Sequence, residues 1–170
     1  MTKFRLFCLP YAGGSATVYG KWKNNLHSSI ALKLIELAGR GKRFAEPFYD
    51  SFTSAVEDIC SIVKNDLDGA PYAIWGHSMG SILAFELAYK LKETGCEEPI
   101  HIFFSGRYPP HILKNKEQSL YELPDKDFLE RIFRLGGTPK EMLENRELQD
   151  IFTPILRADY KILNGYRYFP

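Results

Sequence analysis

Ser78 lies between two glycines in the stretch Gly76-His-Ser-Met-Gly80, which fits the pattern G-x-S-x-G. This pattern is typical of a nucleophile elbow, a sharp turn from a strand into a helix that exposes a strained serine. Glycines are required at 76 and 80 because side chains there would collide with neighbouring backbone. We therefore predict that Ser78 is the nucleophile of an acyl-transfer reaction, and the competing interpretation is a plain strand–turn–helix.

An acyl-transfer site also needs donors for the oxyanion that forms on the attacked carbonyl group. Met79 begins the predicted helix after the elbow, so its backbone amide is one candidate. The second donor must come from the loop after an earlier strand, and Tyr11-Ala-Gly-Gly14 follows the first predicted strand. We predict that the amides of Ala12 and Met79 form the oxyanion hole.

The base that would accept the proton of Ser78 is not evident from the sequence. His77 neighbours the serine, which directs its side chain elsewhere, so we favour a packing or loop role. His101 falls inside a predicted strand, where we expect it to pack under a helix. His111 lies in the loop after that strand, and a lid or pocket-wall role is favoured over a catalytic one.

Strands and helices alternate along the first two thirds of the chain. Apolar runs predict strands at 4–9, 30–37, 72–75 and 99–105. Helices are predicted at 17–26, after a capping box formed by Ser54 and Glu57, and from Met79 onward. This alternation predicts an α/β chain with a mostly parallel sheet flanked by helices.

The last third of the sequence is predicted to be helical. Asp125 can cap a helix that runs to Leu135, and Thr138-Pro-Lys-Glu141 is a second capping box. No composition shift marks a linker, so we predict a single domain over 1–170. Its core comprises 1–110, and a lid with connecting helices covers about 120–166.

The composition excludes several classes of function. The chain has 170 residues, 45% of them hydrophobic, and a formal net charge of +1, which gives no basic field for nucleic acid. No run of about eighteen apolar residues indicates a membrane span. The three cysteines show no metal-binding spacing, and no metal is expected. We predict a cytoplasmic protein with neither a nucleic-acid nor a membrane partner.

Longer blocks of the sequence resemble the type II thioesterases of nonribosomal peptide and polyketide synthases. The blocks are LFCLPYAGGSATVYGKW, AGRGKR, AIWGHSMGSILAFELA, FFSGRYPPH, LPDKDFLERIFRLGGTPKEML and PILRADYKILNGY. The resemblance implies an α/β-hydrolase fold with a helical lid. It also implies hydrolysis of acyl groups misloaded on the phosphopantetheine arms of acyl or peptidyl carrier proteins, without a separate cofactor.

The resemblance also implies where the missing base belongs. Family members continue past the segment that matches LRADYKILNGYRY into strands whose loops carry the triad aspartate and histidine. The chain therefore resembles an amino-terminal portion, truncated at the carboxyl end and lacking the acid and the base. We expect its sheet to end at the strand Ile100 to Phe104, with an uncovered edge and exposed apolar surface.

Three other functions remain open from the sequence. A carrier-dependent acyltransferase shares the elbow, but such enzymes resemble one another in a glutamate after it, where Ser81 stands. A general esterase would prefer oxygen esters, and a non-catalytic fragment would bind carrier proteins without turnover. Arg40, Lys42 and Arg43 could contact an acidic carrier protein, although a solvated loop is the favoured interpretation.

Overall fold

The sheet of the protein has four parallel strands. The structure, a computed structural model, describes residues 4–112, 119–136 and 144–169. Strands β1 (Phe4–Leu9), β2 (Ile30–Leu34), β3 (Tyr72–His77) and β4 (His101–Ser105) are arranged in the order β2-β1-β3-β4. The α/β architecture predicted from the alternating pattern is therefore confirmed, and β2 ends three residues earlier than predicted.

Four α-helices lie within the described residues: α1 (Phe52–Asp66), α2 (Met79–Glu93), α3 (Asp125–Arg134) and α4 (Arg146–Gly165). The segment predicted as a helix at 17–26 is a 3₁₀ helix, Ala16–Asn24. The prediction that Ser54 and Glu57 form the capping box was wrong, because the box lies three residues earlier. Ser51 caps α1 instead, and its side chain and that of Ser54 satisfy each other's backbone amides.

The core lies between the sheet and helices α1 and α2. Alternate side chains of β1 and β3 point into it, and Phe7 and Ile74 are fully buried there. Helix α2 buries Met79, Leu83 and further residues, as its nearly continuous apolar surface predicts. No helix of the described segments is long and apolar enough to cross a membrane.

Strand β4 forms the exposed edge of the sheet. It pairs with β3 alone among the described residues, and Phe103 and Phe104 are 42% and 54% exposed. Within 4–112, 119–136 and 144–169, the prediction of an uncovered edge is confirmed. The prediction that His101 packs under a helix was wrong, because its side chain is exposed and contacts the ring of Phe103.

The helical character of the last third is confirmed for the residues that the structure describes. Phe128, Leu129 and Ile132 of α3 pack against Leu156 of α4 and bury a small apolar cluster. The capping box predicted at Thr138-Pro-Lys-Glu141 lies outside the described residues. The division of the chain into a core and a lid stays a prediction.

Candidate active site

The nucleophile candidate lies at the junction of β3 and α2. Ser78 follows the last residue of β3 and precedes Met79, the first residue of α2. Its φ of 52° and ψ of −112° make it the sole non-glycine with a positive φ in the described segments. Such a conformation costs about 1–3 kcal/mol and is typical of functional sites, so the geometry is that of a nucleophile elbow.

Both glycines of the elbow are required by the packing of its backbone. A Cβ at Gly76 would lie 2.7 Å from the Ser81 amide nitrogen and closer still to the Gly80 carbonyl. A Cβ at Gly80 would overlap the carbonyl oxygen of Leu9. The steric argument made from the sequence is therefore confirmed, and the turn from strand to helix is tight enough to exclude any side chain.

Hydrogen bonds tie the elbow to the end of β4. The Ser78 amide donates to the Ser105 carbonyl at 2.8 Å. The Ser81 hydroxyl lies 2.8 Å from the Gly76 carbonyl and 2.9 Å from that of Ser105, and it accepts from the Ser105 amide at 3.1 Å. Ser81, which stands where acyltransferases resemble one another in a glutamate, therefore joins the elbow to β4.

The glycine-containing loop after β1 lies beside the elbow. Gly80 packs against the backbone of Leu9 and Pro10, and the ring of Tyr11 meets that of His77 edge-on, with centroids 6.0 Å apart. The Gly14 amide donates to the Tyr11 carbonyl at 2.8 Å and closes the loop into a turn. The fold therefore brings the two predicted oxyanion segments to the same end of the sheet.

Two backbone amides at this end are available to a ligand. Met79 begins α2, and the first amide of a helix has no partner within that helix. In the loop, the Gly13 amide donates to Asp159 and the Gly14 amide to Tyr11, whereas the Ala12 amide makes no hydrogen bond within the described segments. The assignment of Ala12 and Met79 as oxyanion donors stays a prediction that this pattern favours.

The histidines do not supply an evident base. His77 Nδ1 lies 3.0 Å from the Ser105 hydroxyl, and its ring packs against Gly106 and Tyr11. His101 and His111 are exposed. Among residues 4–112, 119–136 and 144–169, no hydrogen bond joins Ser78 to a histidine. The packing role predicted for His77 fits these contacts with Ser105, Gly106 and Tyr11.

Cysteine offers no rival nucleophile next to the elbow. Cys8 lies on β1, fully buried, and burial raises the pKa of its thiol to about 12. Because a thiolate is the reactive form, this thiol is unreactive near neutral pH. Ser78, in contrast, is partly exposed at the carboxyl end of the sheet and lies on a strained turn.

A cavity lies away from the elbow, between α1, α2 and α4. It has a volume of about 610 Å³ and is lined by the start of α1, the second half of α2 and the end of α4, including Phe52, Glu86 and Tyr166. No residue of the elbow or of the loop after β1 lines it. We therefore do not assign the acyl group to this cavity, because substrate must reach Ser78.

Both interpretations of Arg40, contact with an acidic carrier protein and exposure in a solvated loop, were wrong. Arg40 is 2% exposed and forms a buried ion pair with Asp159 of α4, so it contacts neither a carrier protein nor solvent. Arg43 is paired with Glu46 and Asp58, and Lys42 is exposed. Sequence reasoning missed Asp159, although one signal was present: an aspartate interrupts the apolar stripe Ile155, Leu156 and Ile162 of α4.

Comparison with known proteins gives three findings. The model of the thioesterase domain family matches residues 4–170. The medium-chain S-acyl fatty acid synthase thioesterase of Anas platyrhynchos is 39% identical over 165 residues, which cover 95% of this chain and 65% of that protein. The crystal structure of ClbQ from the colibactin NRPS/PKS pathway is 42% identical, with a TM-score of 0.93 over 99% of this chain and 70% of that one.

A further solved structure is that of YbtT, a type II thioesterase from the yersiniabactin NRPS/PKS biosynthetic pathway. It is 30% identical, with a TM-score of 0.84, and the match covers 98% of this chain and 66% of that one. The chain thus spans about two thirds of the length of these proteins, and slightly less of the curated relative.

Proposed function

Because the chain belongs to the thioesterase domain family, we propose that the protein hydrolyses acyl thioesters held on the phosphopantetheine arms of carrier proteins. The family assignment and the solved relatives confirm the resemblance to type II thioesterases and the α/β-hydrolase fold. The observation that carries the proposal is the strained Ser78 at the β3–α2 elbow, beside the amides of Ala12 and Met79, for which the described segments show no hydrogen-bond acceptor.

The proposed reaction proceeds through an acyl-enzyme. Ser78 Oγ attacks the thioester carbonyl, its proton passes to a base, and the amides of Ala12 and Met79 stabilise the oxyanion. The C–S bond then breaks, the phosphopantetheine thiol leaves with a proton, and water hydrolyses the new ester on Ser78. The reaction draws on side chains and amides of the protein and on no cofactor.

The proposed reaction needs a base that accepts the proton of Ser78. No histidine of the described residues is hydrogen-bonded to Ser78. Experiments on activity therefore require the full-length gene product. Removal of any single triad member leaves a residual rate of only about 10³–10⁴-fold over water in other serine hydrolases, so a base is essential to useful turnover.

The substrates and partners are proposed from the relatives. ClbQ and YbtT belong to NRPS/PKS pathways, which supports misloaded acyl groups on acyl or peptidyl carrier proteins as substrates. The duck relative is named for fatty acid synthase, so a medium-chain acyl group is the second candidate. The three cysteines are free thiols, which suits the reducing cytoplasm that we propose as the location.

The proposal is tested by comparing three substrates with the full-length gene product. A short-chain acyl group and an octanoyl group are each loaded on a phosphopantetheinylated carrier protein, and an oxygen ester of the same acid is the control. We expect kcat/KM to be highest for a carrier-bound thioester, with free acid as the product. A higher value for the oxygen ester would identify a general esterase and contradict the proposal.

The same assay separates the remaining alternatives. An unloaded carrier protein is added as an acyl acceptor, and mass spectrometry follows both carriers. Transfer to the acceptor in place of free acid would identify an acyltransferase. Tight binding of the loaded carrier without turnover would identify a non-catalytic binding protein, and either result would overturn the proposed hydrolysis.

A further inference from the structure

An acidic side chain interrupts the apolar face of α4 at the point where this helix meets the loop after β1. Asp159 is 1% exposed and lies on the same face as Ile155, Leu156 and Ile162. A buried carboxylate is costly unless it is paired and hydrogen-bonded. Its position therefore requires partners of sufficient strength to offset that cost.

Arg40 supplies the opposite charge. Its two terminal nitrogens each lie 2.6 Å from one oxygen of Asp159, in a bidentate arrangement that is the strongest geometry for this pair. Arg40 also donates to the carbonyl oxygens of Gly14 and Ala38, at 3.3 and 3.4 Å. The guanidinium is thus bonded to the loop after β1 as well as to the helix.

Asp159 bonds the same loop from its other side. The Gly13 amide donates to Asp159 Oδ2 at 2.7 Å, and the Leu156 side chain lies where a Cβ of Gly13 would be. Gly13 has a φ of 80°, a conformation that favours glycine. The ion pair therefore binds two successive loop residues, one through its amide and the next through its carbonyl.

These bonds fix the direction of the Ala12 amide. Each peptide unit is planar, so holding one atom of the unit restrains the others. The Tyr11 carbonyl, which shares a peptide plane with the Ala12 amide, accepts from Gly14. The following plane, which contains the Gly13 amide, is held by Asp159. Both planes that flank Ala12 are therefore restrained.

We propose that Asp159, paired with Arg40, is a positioning residue that holds the loop after β1 so that the Ala12 amide points at the oxyanion. The inference rests on the proposed function, because it assigns Asp159 a part in stabilising the acyl-transfer transition state. It also makes the middle of α4 a fixed support of the site, since the same helix contacts the loop through Leu156.

Two double variants isolate the bond to Gly13. In Arg40→Met/Asp159→Asn the charges are removed, but an amide oxygen remains to accept from Gly13. In Arg40→Met/Asp159→Leu this acceptor is lost as well. Neither variant leaves one buried charge without its partner, which is the usual reason why single substitutions of such a pair fail to fold. Thermal unfolding tests whether both variants are folded.

We expect the Leu double variant to lose kcat on carrier-bound thioester by about 10²-fold relative to the Asn double variant, with a smaller change in KM, because loss of one oxyanion donor costs about 10²–10³-fold. Asp125→Ala is the matched control, since it removes the acceptor for Arg157 of the same helix and touches no residue of the loop after β1. Its kcat should stay within a few-fold of wild type. Equal kcat in the two double variants would overturn the inference.

Hydrogen exchange of the Gly13 amide, followed by NMR, provides a readout that does not require activity. Exchange should be at least about 10-fold faster in the Leu double variant than in the Asn double variant. If the wild type hydrolyses no thioester, the proposed function fails, and this exchange difference alone decides whether Asp159 holds the loop.

A measurement on the wild-type protein tests the inference even if the variants do not fold. A scalar coupling across the hydrogen bond, between Gly13 ¹⁵N and Asp159 ¹³Cγ, should be detectable in the wild-type protein. Absence of this coupling together with rapid exchange of the Gly13 amide would show that the loop is not held by the carboxylate, and the inference would be abandoned.

Discussion

The carboxyl end of β3 and the neighbouring strand β4 belong to one sheet but have opposite surroundings. At the end of β3, Gly76 and Gly80 are packed against backbone so closely that a methyl group does not fit. On β4, the side chains of Phe103 and Phe104 are half exposed. The difference shows that contacts among the described residues are sufficient to shape the nucleophile's turn and leave the far edge of the sheet uncovered.

Two ion pairs of the protein differ in burial in the same way. Arg40 and Asp159 are buried and bidentate, and they bind the loop beside the elbow. Arg5 and Asp68 form a pair in which the aspartate is largely exposed. The buried ion pair therefore lies at the end of the sheet that carries Ser78, where the proposed chemistry needs fixed geometry.

The largest expected effect is on catalysis at the enclosed end. Ser78→Ala in the full-length gene product should lower kcat on carrier-bound thioester by about 10⁶-fold, as loss of a serine nucleophile does elsewhere. Its free energy of unfolding should change by less than about 0.5 kcal/mol, because only a hydroxyl is removed. Turnover close to that of the wild type would eliminate Ser78 as the nucleophile.

The second prediction compares a phenylalanine of the core strand β1 with one of the edge strand β4. Phe7→Ala on β1 should lower the free energy of unfolding by about 3–5 kcal/mol, because it leaves a cavity in the core. Phe104→Ala on β4 should change it by about 1 kcal/mol or less, because that ring is 54% exposed. Urea unfolding measures both, and similar losses would mean that the β4 edge is covered in the folded protein.

A third comparison uses two glycines. Gly76→Ala should destabilise the protein by about 1–3 kcal/mol, because the added methyl group overlaps backbone of α2. Gly20→Ala is the matched control, since nothing lies within 4 Å of its Cβ position. Chemical denaturation should show a larger loss in the free energy of unfolding for Gly76→Ala than for Gly20→Ala. A neutral Gly76→Ala would show that the elbow is looser than its packing indicates.

The smallest effect concerns the exposed ion pair. The hydrogen bond from Arg5 lowers the pKa of Asp68 to about 2 from an ordinary value of 3.8. A carboxylate with a lowered pKa stabilises the folded state above about pH 4, and this contribution is lost as the pH falls towards 2. The stability of Asp68→Asn should therefore vary less with pH across that window than that of the wild type.

Asp50→Asn, which replaces another exposed carboxylate, is the control for this measurement. Thermal unfolding at several pH values between 2 and 5 gives the comparison. If wild type and Asp68→Asn lose stability in parallel between pH 4 and 2, the Arg5–Asp68 pair contributes nothing to the folded state in solution.

Local patterns were enough to predict the elements that carry the elbow. The apolar run of β1, the G-x-S-x-G turn and the apolar surface of α2 each depend on neighbours within a few residues, and the structure has them where they were predicted. The cap of α1 was misplaced because Ser51 and Ser54 offer competing cap positions three residues apart.

Contacts between distant segments could not be predicted in this way. Arg40 and Asp159 are 119 residues apart, and the glycines around Arg40 suggested an exposed loop. The exposure of β4 was expected from the resemblance alone, since the run IHIFF is as apolar as a buried strand. Periodicity predicts which residues could be buried, but the packing partners decide which of them are.

The central claim, that Ser78 carries the acyl group, is tested most directly by trapping the intermediate. The full-length gene product is mixed with an acylated carrier protein, quenched with acid within the first turnover, and digested for peptide mass spectrometry. We predict that the peptide containing Ser78 gains the mass of the acyl group and that Ser78→Ala gains none. An adduct on another residue, or equal acylation of Ser78→Ala, would contradict the account.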